Sequence, residues 1–536
     1  MSKRNIRALS FRREPEKNLF EEISKLARAE APQEAYRKLA DEYLMDESVL
    51  YGTASFYDFL KPGSAREKIR VCNGTACLTA NRQHLVEKEA RQMFDEEEIG
   101  HATCLGHCHT GGAFMYEGVT YSLPENGDLR SLIASGKSNK RYDVVAVSEP
   151  VLTGEIPSVE EFYREINRLL EQNDDIAGEL KASGLRGRGG AGFPFHIKWD
   201  TVRRQQDETK YIVCNADEGD PGAFSDMYLL EEQPHKVLAG MYIAGITAGA
   251  HEAYIYIRGE YPQSVEAFQR AIDEAKDHIK DFRIRIIRGQ GSYVCGEETA
   301  LLNSIEGLRP EVRVRPPYPA VEGLYGKPTL LSNVETFANL PRILTHGGER
   351  FAALGTDKST GTKLVSLDSH FVRPGIYEVE MGMPAGKLFY DTAGGFRRPL
   401  KAVQIGGPLG GVVPVDKLET LTLDFESMDE AGFLLGHAGV AGIPEDFPMI
   451  EFIEHLLKFT ADESCGKCYP CRIGSRRGQE LINKAIVDNI PVDRQLFDDL
   501  LETLELGSLC ALGGGLPLPV RNIMQHFAGE LKEYFS

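Results

Sequence analysis

The chain has no apolar run approaching the roughly 18 residues of a membrane span. Its nearest candidate, residues 237–250, is too short and rich in glycine and alanine. A basic excess is also missing: 61 Lys+Arg stand against 80 Asp+Glu, a formal charge of −19. That balance argues against nucleic acid as the main partner, because phosphate contacts need a basic face. There is no internal repeat and no long low-complexity tract, and 42% hydrophobic with 26% charged residues excludes a disordered chain. Residues 1–18 are basic, but no apolar core follows them, so no secretory signal is read there. An intracellular, cytoplasmic protein without direct membrane insertion is expected, its 536 residues forming roughly three to five domains.

Cysteine is present in an informative pattern. Eight of the ten fall into two groups, while Cys214 and Cys295 stand alone in apolar, β-like settings that read as packing. A disulfide scaffold is unexpected in a large chain without an export signal, so clustered thiols read as metal ligands. ESCGKCYPCRIG places Cys465, Cys468 and Cys471 in a C-x2-C-x2-C run, with Cys510 in GSLCALGGG as a distant fourth. Three thiolates at that spacing wrap one corner of a cubane and the fourth closes it, which favours a [4Fe-4S] cluster over tetrahedral zinc. Lys467, Arg472, Arg476 and Arg477 offset the thiolate charge. Cys72 and Cys77 (C-x4-C) with Cys104 and Cys108 (C-x3-C) sit on two loops, an arrangement for a [2Fe-2S] centre, with zinc or a redox disulfide as alternatives.

Helical periodicity covers residues 15–62 and 78–94, and a polar segment at 135–142 reads as a linker. Between about 150 and 340, helical patterns alternate with YIVCNA, AYIYIRGEY and IRIIRG, which suggests an α/β domain with a partly parallel sheet. KLVSL, GIYEVEMG and KAVQIGGP mark a β-rich module at 363–415, and helical periodicity returns after 448.

Two loops carry most of the remaining chemistry. GLRGRGGAGFPFHIKW formally contains G-x-G-x-x-G, but residues 175–183 before it read as helix, so it is not a dinucleotide fingerprint. It reads instead as a backbone nest for an anionic or planar ligand, with Lys198 as a point charge for phosphate. CNADEGDPGAFSD supplies Asp217, Glu218, Asp220 and Asp226, which suit ribose hydroxyls or a ring better than phosphates. In GSYVCGEETALLNSIEG, Glu297 and Glu298 are expected to follow a strand and start a helix.

Together these segments resemble the NADH-oxidising flavoprotein subunit of respiratory complex I and its soluble relatives, with an N-terminal part similar to complex I's [2Fe-2S] subunit. Such fusions occur in diaphorase subunits of NAD-dependent formate dehydrogenases and NAD-reducing hydrogenases. The resemblance implies an α/β multidomain fold. Residues 1–140 would be a helical leader plus thioredoxin-like [2Fe-2S] domain, and 141–345 a Rossmann-like FMN- and NAD(H)-binding domain. Residues 346–430 would form a small ubiquitin-like β-grasp domain, and 431–536 a helical bundle with the [4Fe-4S] cluster.

The resemblance implies FMN on Gly187, Gly189, Gly190, Lys198, Asn215, Asp217, Gly296, Glu297 and Asn333, and NAD(H) on Phe193, Asp220, Glu298, Arg315 and Tyr318. Arg188, Glu218, Tyr293 and Ser332 complete the implied cofactor-binding set, and the two cysteine quartets match the family's cluster ligands. Three departures stand out. GFPFHIKW replaces GFPTGxKW, so Phe195 and His196 are expected to crowd the loop near the nucleotide. Ser332 stands where the family has the first of two asparagines, and Asp220 replaces a glutamate near the adenosine ribose, where a carboxylate favours NAD over NADP.

The implied activity is a diaphorase passing electrons between NAD(H), FMN and the clusters, with no side chain assigned as a catalytic acid or base. A diaphorase needs somewhere to send electrons. The expected partner is a larger subunit with further iron–sulfur clusters, a molybdenum or tungsten formate dehydrogenase, with an NAD-reducing or electron-bifurcating hydrogenase as the alternative. A reading of a different class, a zinc-stabilised scaffold, is separated by metal content: about six irons per chain fit one cluster of each kind.

Overall fold

The computed structural model describes residues 19–536 apart from 30, 44, 62, 125, 126, 141 and 174. The basic segment read at residues 1–18 lies outside them. Strands Ile69–Cys72 (β1), Ile99–Ala102 (β2), Ala113–Tyr116 (β3) and Val119–Ser122 (β4) form a sheet in the order β2-β1-β3-β4. β1 runs parallel to β2 and antiparallel to β3. The parallel pairing brings the C-terminal ends of β1 and β2, and so both cysteine loops, to one edge. The stretch 78–94 is not one helix but two, Thr75–Thr79 and Gln83–Ala90, parted at Asn81, whose φ of 52° interrupts the ladder.

The helices Leu19–Arg28, Gln33–Glu42 and Glu47–Ala54 pack away from that sheet. Leu19, Phe20, Ile23 and Leu50 join Tyr211, Val213, Tyr254 and Tyr256 in one apolar cluster, so the leader covers a face of the next sheet. After Asp143–Ala146 (β5), that sheet is built from Tyr211–Ala216 (β6), Glu252–Ile257 (β7), Arg283–Arg288 (β8) and Thr329–Asn333 (β9). Its order is β8-β7-β6-β9, all parallel. The near-continuous apolar runs of β6 and β7 suit strands buried on both faces. The helix Pro234–Ala248 covers the opposite face and is buried along almost its whole length. Most of the apolar run 237–250 is therefore a core helix, and among the described residues no helix is long and apolar enough to cross a membrane.

The β-rich module comprises Thr362–Leu367 (β10), Gly375–Glu380 (β11), Met383–Pro384 (β12), Leu400–Ile405 (β13), Gly411–Pro414 (β14), Thr422–Leu423 (β15) and Gly439–Pro444 (β16). A six-stranded sheet runs β14-β13-β16-β10-β11-β5, while β12 and β15 make a separate ribbon. β5 and β16 come from outside residues 346–430. Without them the backbone edges of β10, β11 and β13 would lack partners. We therefore propose that this module takes in residues 143–146 and 439–444.

The C-terminal helices Met449–Glu463, Ser475–Val487, Arg494–Gly507 and Pro517–His526 pack around Leu456, Leu457, Ile482, Leu501 and Ile523. The final amphipathic stretch breaks at Phe527 (φ −119°, ψ 27°) before the short turn Ala528–Leu531.

Candidate functional site

In an all-parallel sheet, ligands sit beyond the carboxyl ends of the strands. Here that edge carries Asn215 and Ala216 of β6, Ser332 and Asn333 of β9, and the glycine-rich loop beside them. Asn333 caps the helix Val334–Ala338, its Oδ1 accepting from the amides of Glu335 (2.9 Å) and Thr336 (3.4 Å), and its Nδ2 donates to Asp226 at 2.7 Å. A Cβ on Gly189 would stand 2.9 Å from the Asn333 Cβ, so only glycine lets the loop lie there. The Gly187 amide donates to the Phe193 carbonyl at 2.8 Å and closes the loop. Gly190 has φ +125°.

Around this cradle the expected residues fall into small groups. Asn215 Nδ2 donates to the Gly296 carbonyl at 2.8 Å and its Oδ1 accepts from the Asp217 amide at 3.0 Å. Asp217 Oδ2 is buried with no hydrogen-bond partner among the described residues, and burial pushes its carboxyl well above the usual range. Lys198 donates to Glu298 and to the Leu331 carbonyl, each at 3.2 Å, and Arg315 donates to Glu298 at 2.8 Å. Asp220 accepts from the Tyr293 hydroxyl at 2.7 Å. Phe193 and Tyr318 project outward, 49% and 58% exposed. Ser332 pairs in register with Cys214. A glycine cradle, an ammonium for phosphate and an orphaned buried acceptor together fit a flavin nucleotide.

Several expected residues are used by the protein itself. Glu218 accepts from the amides of Asp226 (2.9 Å) and Met227 (3.1 Å) and from the Tyr261 hydroxyl (3.2 Å). Burial, with the Asp226 carboxylate beside it, pushes its carboxyl up to about 7. Arg188 is completely buried; its amide donates to Thr336 Oγ1 at 2.9 Å and its guanidinium to the Thr360 carbonyl. Glu297 follows the 3-10 turn Tyr293–Gly296, not a strand, and caps the helix Glu298–Ile305 by accepting from the amides of Thr299 and Ala300. Phe195 starts the helix Phe195–Arg203 with its ring buried against Phe337, at 6.2 Å between centroids. His196 is half-buried beside it.

One contributor had no local signal at all. His437 lies 3.2 Å from Asp226, 3.7 Å from Glu218 and 3.4 Å from Asn333. Burial opposes its charge, but the Asp226 carboxylate and its hydrogen bond outweigh that and hold His437 up to about 9. Glu218, Asp226 and His437 lie close enough together to hold a metal ion. Their hydrogen bonds to each other and to backbone amides already occupy most of those atoms.

Both cysteine quartets assemble. Cys72, Cys77, Cys104 and Cys108 are all buried, with the Cys104 and Cys108 sulfurs 3.5 Å apart. A hydrogen bond from its pair partner holds Cys72 down to about 7, and Cys104 is lowered in the same way. Backbone amides of Gly74, Leu105 and Cys104 point at Cys72, and the Gly222 amide donates to Cys108 Sγ at 3.3 Å. Amide donors around four clustered thiols fit an iron–sulfur cluster. Arg258 ties this loop to the acidic segment, donating to the carbonyls of Thr103 (3.1 Å), Cys104 (2.9 Å) and Glu218. Cys465 and Cys471 are buried while Cys468 and Cys510 are half-buried, all in one cluster with Val294 and Phe459. Burial pushes Cys471 up to about 11 and Cys510 up to about 12, so a cation is needed to hold them as thiolates.

The fold and these three sites define a flavin- and iron–sulfur-containing NAD(H) oxidoreductase. Family models match along the chain: a thioredoxin-like [2Fe-2S] ferredoxin at residues 19–137, the Nuo51 FMN-binding domain at 180–342, and the NADH-ubiquinone oxidoreductase-F iron–sulfur binding region at 451–534. The chain is 40% identical over 373 residues to the NADP-reducing hydrogenase subunit HndC of Solidesulfovibrio fructosivorans, covering 67% of this chain and 76% of that one. It is 38% identical over 389 residues to the mitochondrial NADH dehydrogenase [ubiquinone] flavoprotein 1 of Dictyostelium discoideum, covering 70% and 81%. A chain in the crystal structure of an air-oxidized NAD+-reducing [NiFe]-hydrogenase superposes with a TM-score of 0.87 at 28% identity, covering 98% of this chain and 94% of that one. The chain belongs to the family of NADH-oxidising flavoprotein subunits, with FMN, [4Fe-4S] and [2Fe-2S] domains.

Proposed function

We propose that this chain is the NAD(H)-binding diaphorase subunit of a cytoplasmic, multi-subunit NAD-dependent formate dehydrogenase. Its partner would be a larger molybdenum or tungsten subunit with further iron–sulfur clusters. One observation carries the need for a partner: the [4Fe-4S] site reaches the surface. Cys468 and Cys510 are half-buried, and Tyr469, Ile473, Leu506 and Leu509 stand exposed in the segments that carry them. Exposed apolar side chains grouped around an electron exit mark a docking face. The fusion of the [2Fe-2S] and flavin modules in one chain suits a formate-oxidising assembly and a hydrogenase alike. A hydrogenase partner is the second reading, favoured by the likeness to the NAD+-reducing [NiFe]-hydrogenase chain over 98% of this one.

Bound FMN supplies the exchange between a hydride and single electrons. The chain's own residues bind and orient. Lys198 offers the phosphate its charge, and Asn215, Gly296 and Asn333 fix the edge of the cradle. The Tyr293 hydroxyl holds Asp220 as a placed acceptor for the nucleotide ribose, where a carboxylate disfavours a 2′-phosphate. The test is to isolate the complex through this chain, measure its metals, and supply NAD+ with formate or with hydrogen. Formate-dependent NADH formation with molybdenum or tungsten supports the first reading. Hydrogen-dependent formation with nickel supports the second. A flavin- and iron-replete chain that cannot pass electrons from NADH to ferricyanide overturns both.

A further inference from the structure

The loop bearing Cys465, Gly466 and Lys467 is overhung by a side chain from the flavin domain. Arg309 follows the helix Glu298–Ile305 and donates from Nη2 to the Cys465 carbonyl at 3.1 Å. Its guanidinium lies over the Phe56 ring, 4.7 Å from the centroid, so the N-terminal leader holds it in place. A Cβ on Gly466, which has φ +81°, would come 3.5 Å from Arg309 Nη2 and 3.9 Å from Arg472 Cδ. Two arginines thus flank the residue that follows a cluster ligand. They line a cavity of ≈ 380 Å³ with Glu311, Ser464 and Cys465. The charges facing this spot are Arg309, Arg472 and Lys467 on one side of the balance and Glu311 on the other. Glu311 lies 3.9 Å from Arg309 Nε and 3.5 Å from Lys467 Nζ. Arg309 Nε has no hydrogen-bond partner among the described residues.

We propose that Arg309 is a positioning residue that sets the reduction potential of the [4Fe-4S] centre and anchors its first ligand loop. The inference rests on the reading of Cys465, Cys468, Cys471 and Cys510 as that cluster's ligands. Reduction adds one electron, delivered from NADH through the flavin, and no bond to Arg309 forms or breaks. The added negative charge is stabilised by a fixed cation at short range, so the guanidinium raises the potential and favours electron transfer onto the cluster. A guanidinium suits the task because it stays charged while it stacks on Phe56 and donates to a carbonyl.

Arg309→Gln and Arg309→Lys in the flavin- and iron-loaded protein test this by redox titration followed by electron paramagnetic resonance. The [2Fe-2S] signal of the same sample serves as internal reference. Arg309→Gln is expected to lower the [4Fe-4S] midpoint by about 59 mV, a tenfold change in a one-electron constant, with the [2Fe-2S] midpoint unchanged. Arg309→Lys is expected to retain most of the potential. Full iron content with an unmoved [4Fe-4S] midpoint overturns the proposal, and so does a lysine variant that matches the glutamine. If Arg309→Gln loses four irons, Glu311→Gln decides, since it removes the opposing carboxylate and leaves the Cys465 contact. It is expected to raise the midpoint, and an unmoved or lowered value overturns the proposal. A wild-type protein with zinc in place of iron would instead overturn the ligand reading itself.

Discussion

Replacing Lys363 with methionine removes half of an ion pair that has no access to solvent, since both Lys363 and Glu335 are fully buried. Lys363 Nζ also donates to the Leu364 carbonyl at 3.0 Å, and the Leu364 amide donates to the Glu335 carboxylate at 3.1 Å. The pair fastens β10 to the helix Val334–Ala338, the helix capped by Asn333 at the flavin cradle. Arg188 is near enough to feel the Glu335 charge, yet two of its guanidinium nitrogens have no hydrogen-bond partner among the described residues. Breaking one side of such a pair costs about 3–5 kcal/mol, whereas replacing both sides with apolar groups is often neutral. For a cooperative unit of about 150–250 residues each kcal/mol moves the midpoint by roughly 2–4 °C, so the single variant should melt about 6–20 °C lower. The assay is flavin fluorescence released on heating the loaded protein, for Lys363→Met, Glu335→Leu and the double variant. Both singles should release flavin early, and the double should return most of the way to wild type. Singles within about 2 °C of wild type, or a double that is worse than either, would refute the reasoning.

Cys510→Ser should drop iron from about six to about two per chain while the [2Fe-2S] spectrum persists. Gly189→Ala puts a methyl group 2.9 Å from the Asn333 Cβ. The strain of such overpacking, about 1–3 kcal/mol, should weaken FMN binding by about 5- to 150-fold in fluorescence titration. Lys198→Met should weaken it by about 10–100-fold, the worth of a hydrogen bond to a charged group. His437 is held up to about 9 in the fold against an ordinary 6.5, so its stabilisation is complete below about pH 6.5 and is lost as pH rises through 9. On the order of 3 kcal/mol should disappear across that window in denaturant titrations, and His437→Gln should flatten the loss.

What the sequence made legible follows from range. Tyr211–Ala216, Glu252–Ile257 and Arg283–Arg288 are runs of β-branched and aromatic residues, and they are strands. The cysteine quartets were legible because ligand spacing is a local constraint, and the structure brings each quartet together. Tyr293–Gly296 has the same β-forming composition as a strand but forms a 3-10 turn, whose amide at Tyr293 is taken by Glu463 at 2.8 Å from the distant helix Met449–Glu463. His437 sits between glycines with no periodic signature, and only the fold carries it to Asp226. Phe195 belongs by sequence to a loop motif, and packing against Phe337 decides its place instead.

The strand β5 has a consequence for synthesis. It is completed about 230 residues before its sheet partner β11, so at about 5–20 residues per second it waits roughly 10–50 s on the ribosome for that partner. During that interval the leader and the [2Fe-2S] domain can close behind it, but the strand itself has nothing to pair with. Its make-up suits the delay: four residues, beginning with an exposed aspartate, are a poor template for association with other nascent chains. One edge of the six-stranded sheet is thus an early segment held in reserve. A chain cut at residue 147 would send that segment away with the wrong half.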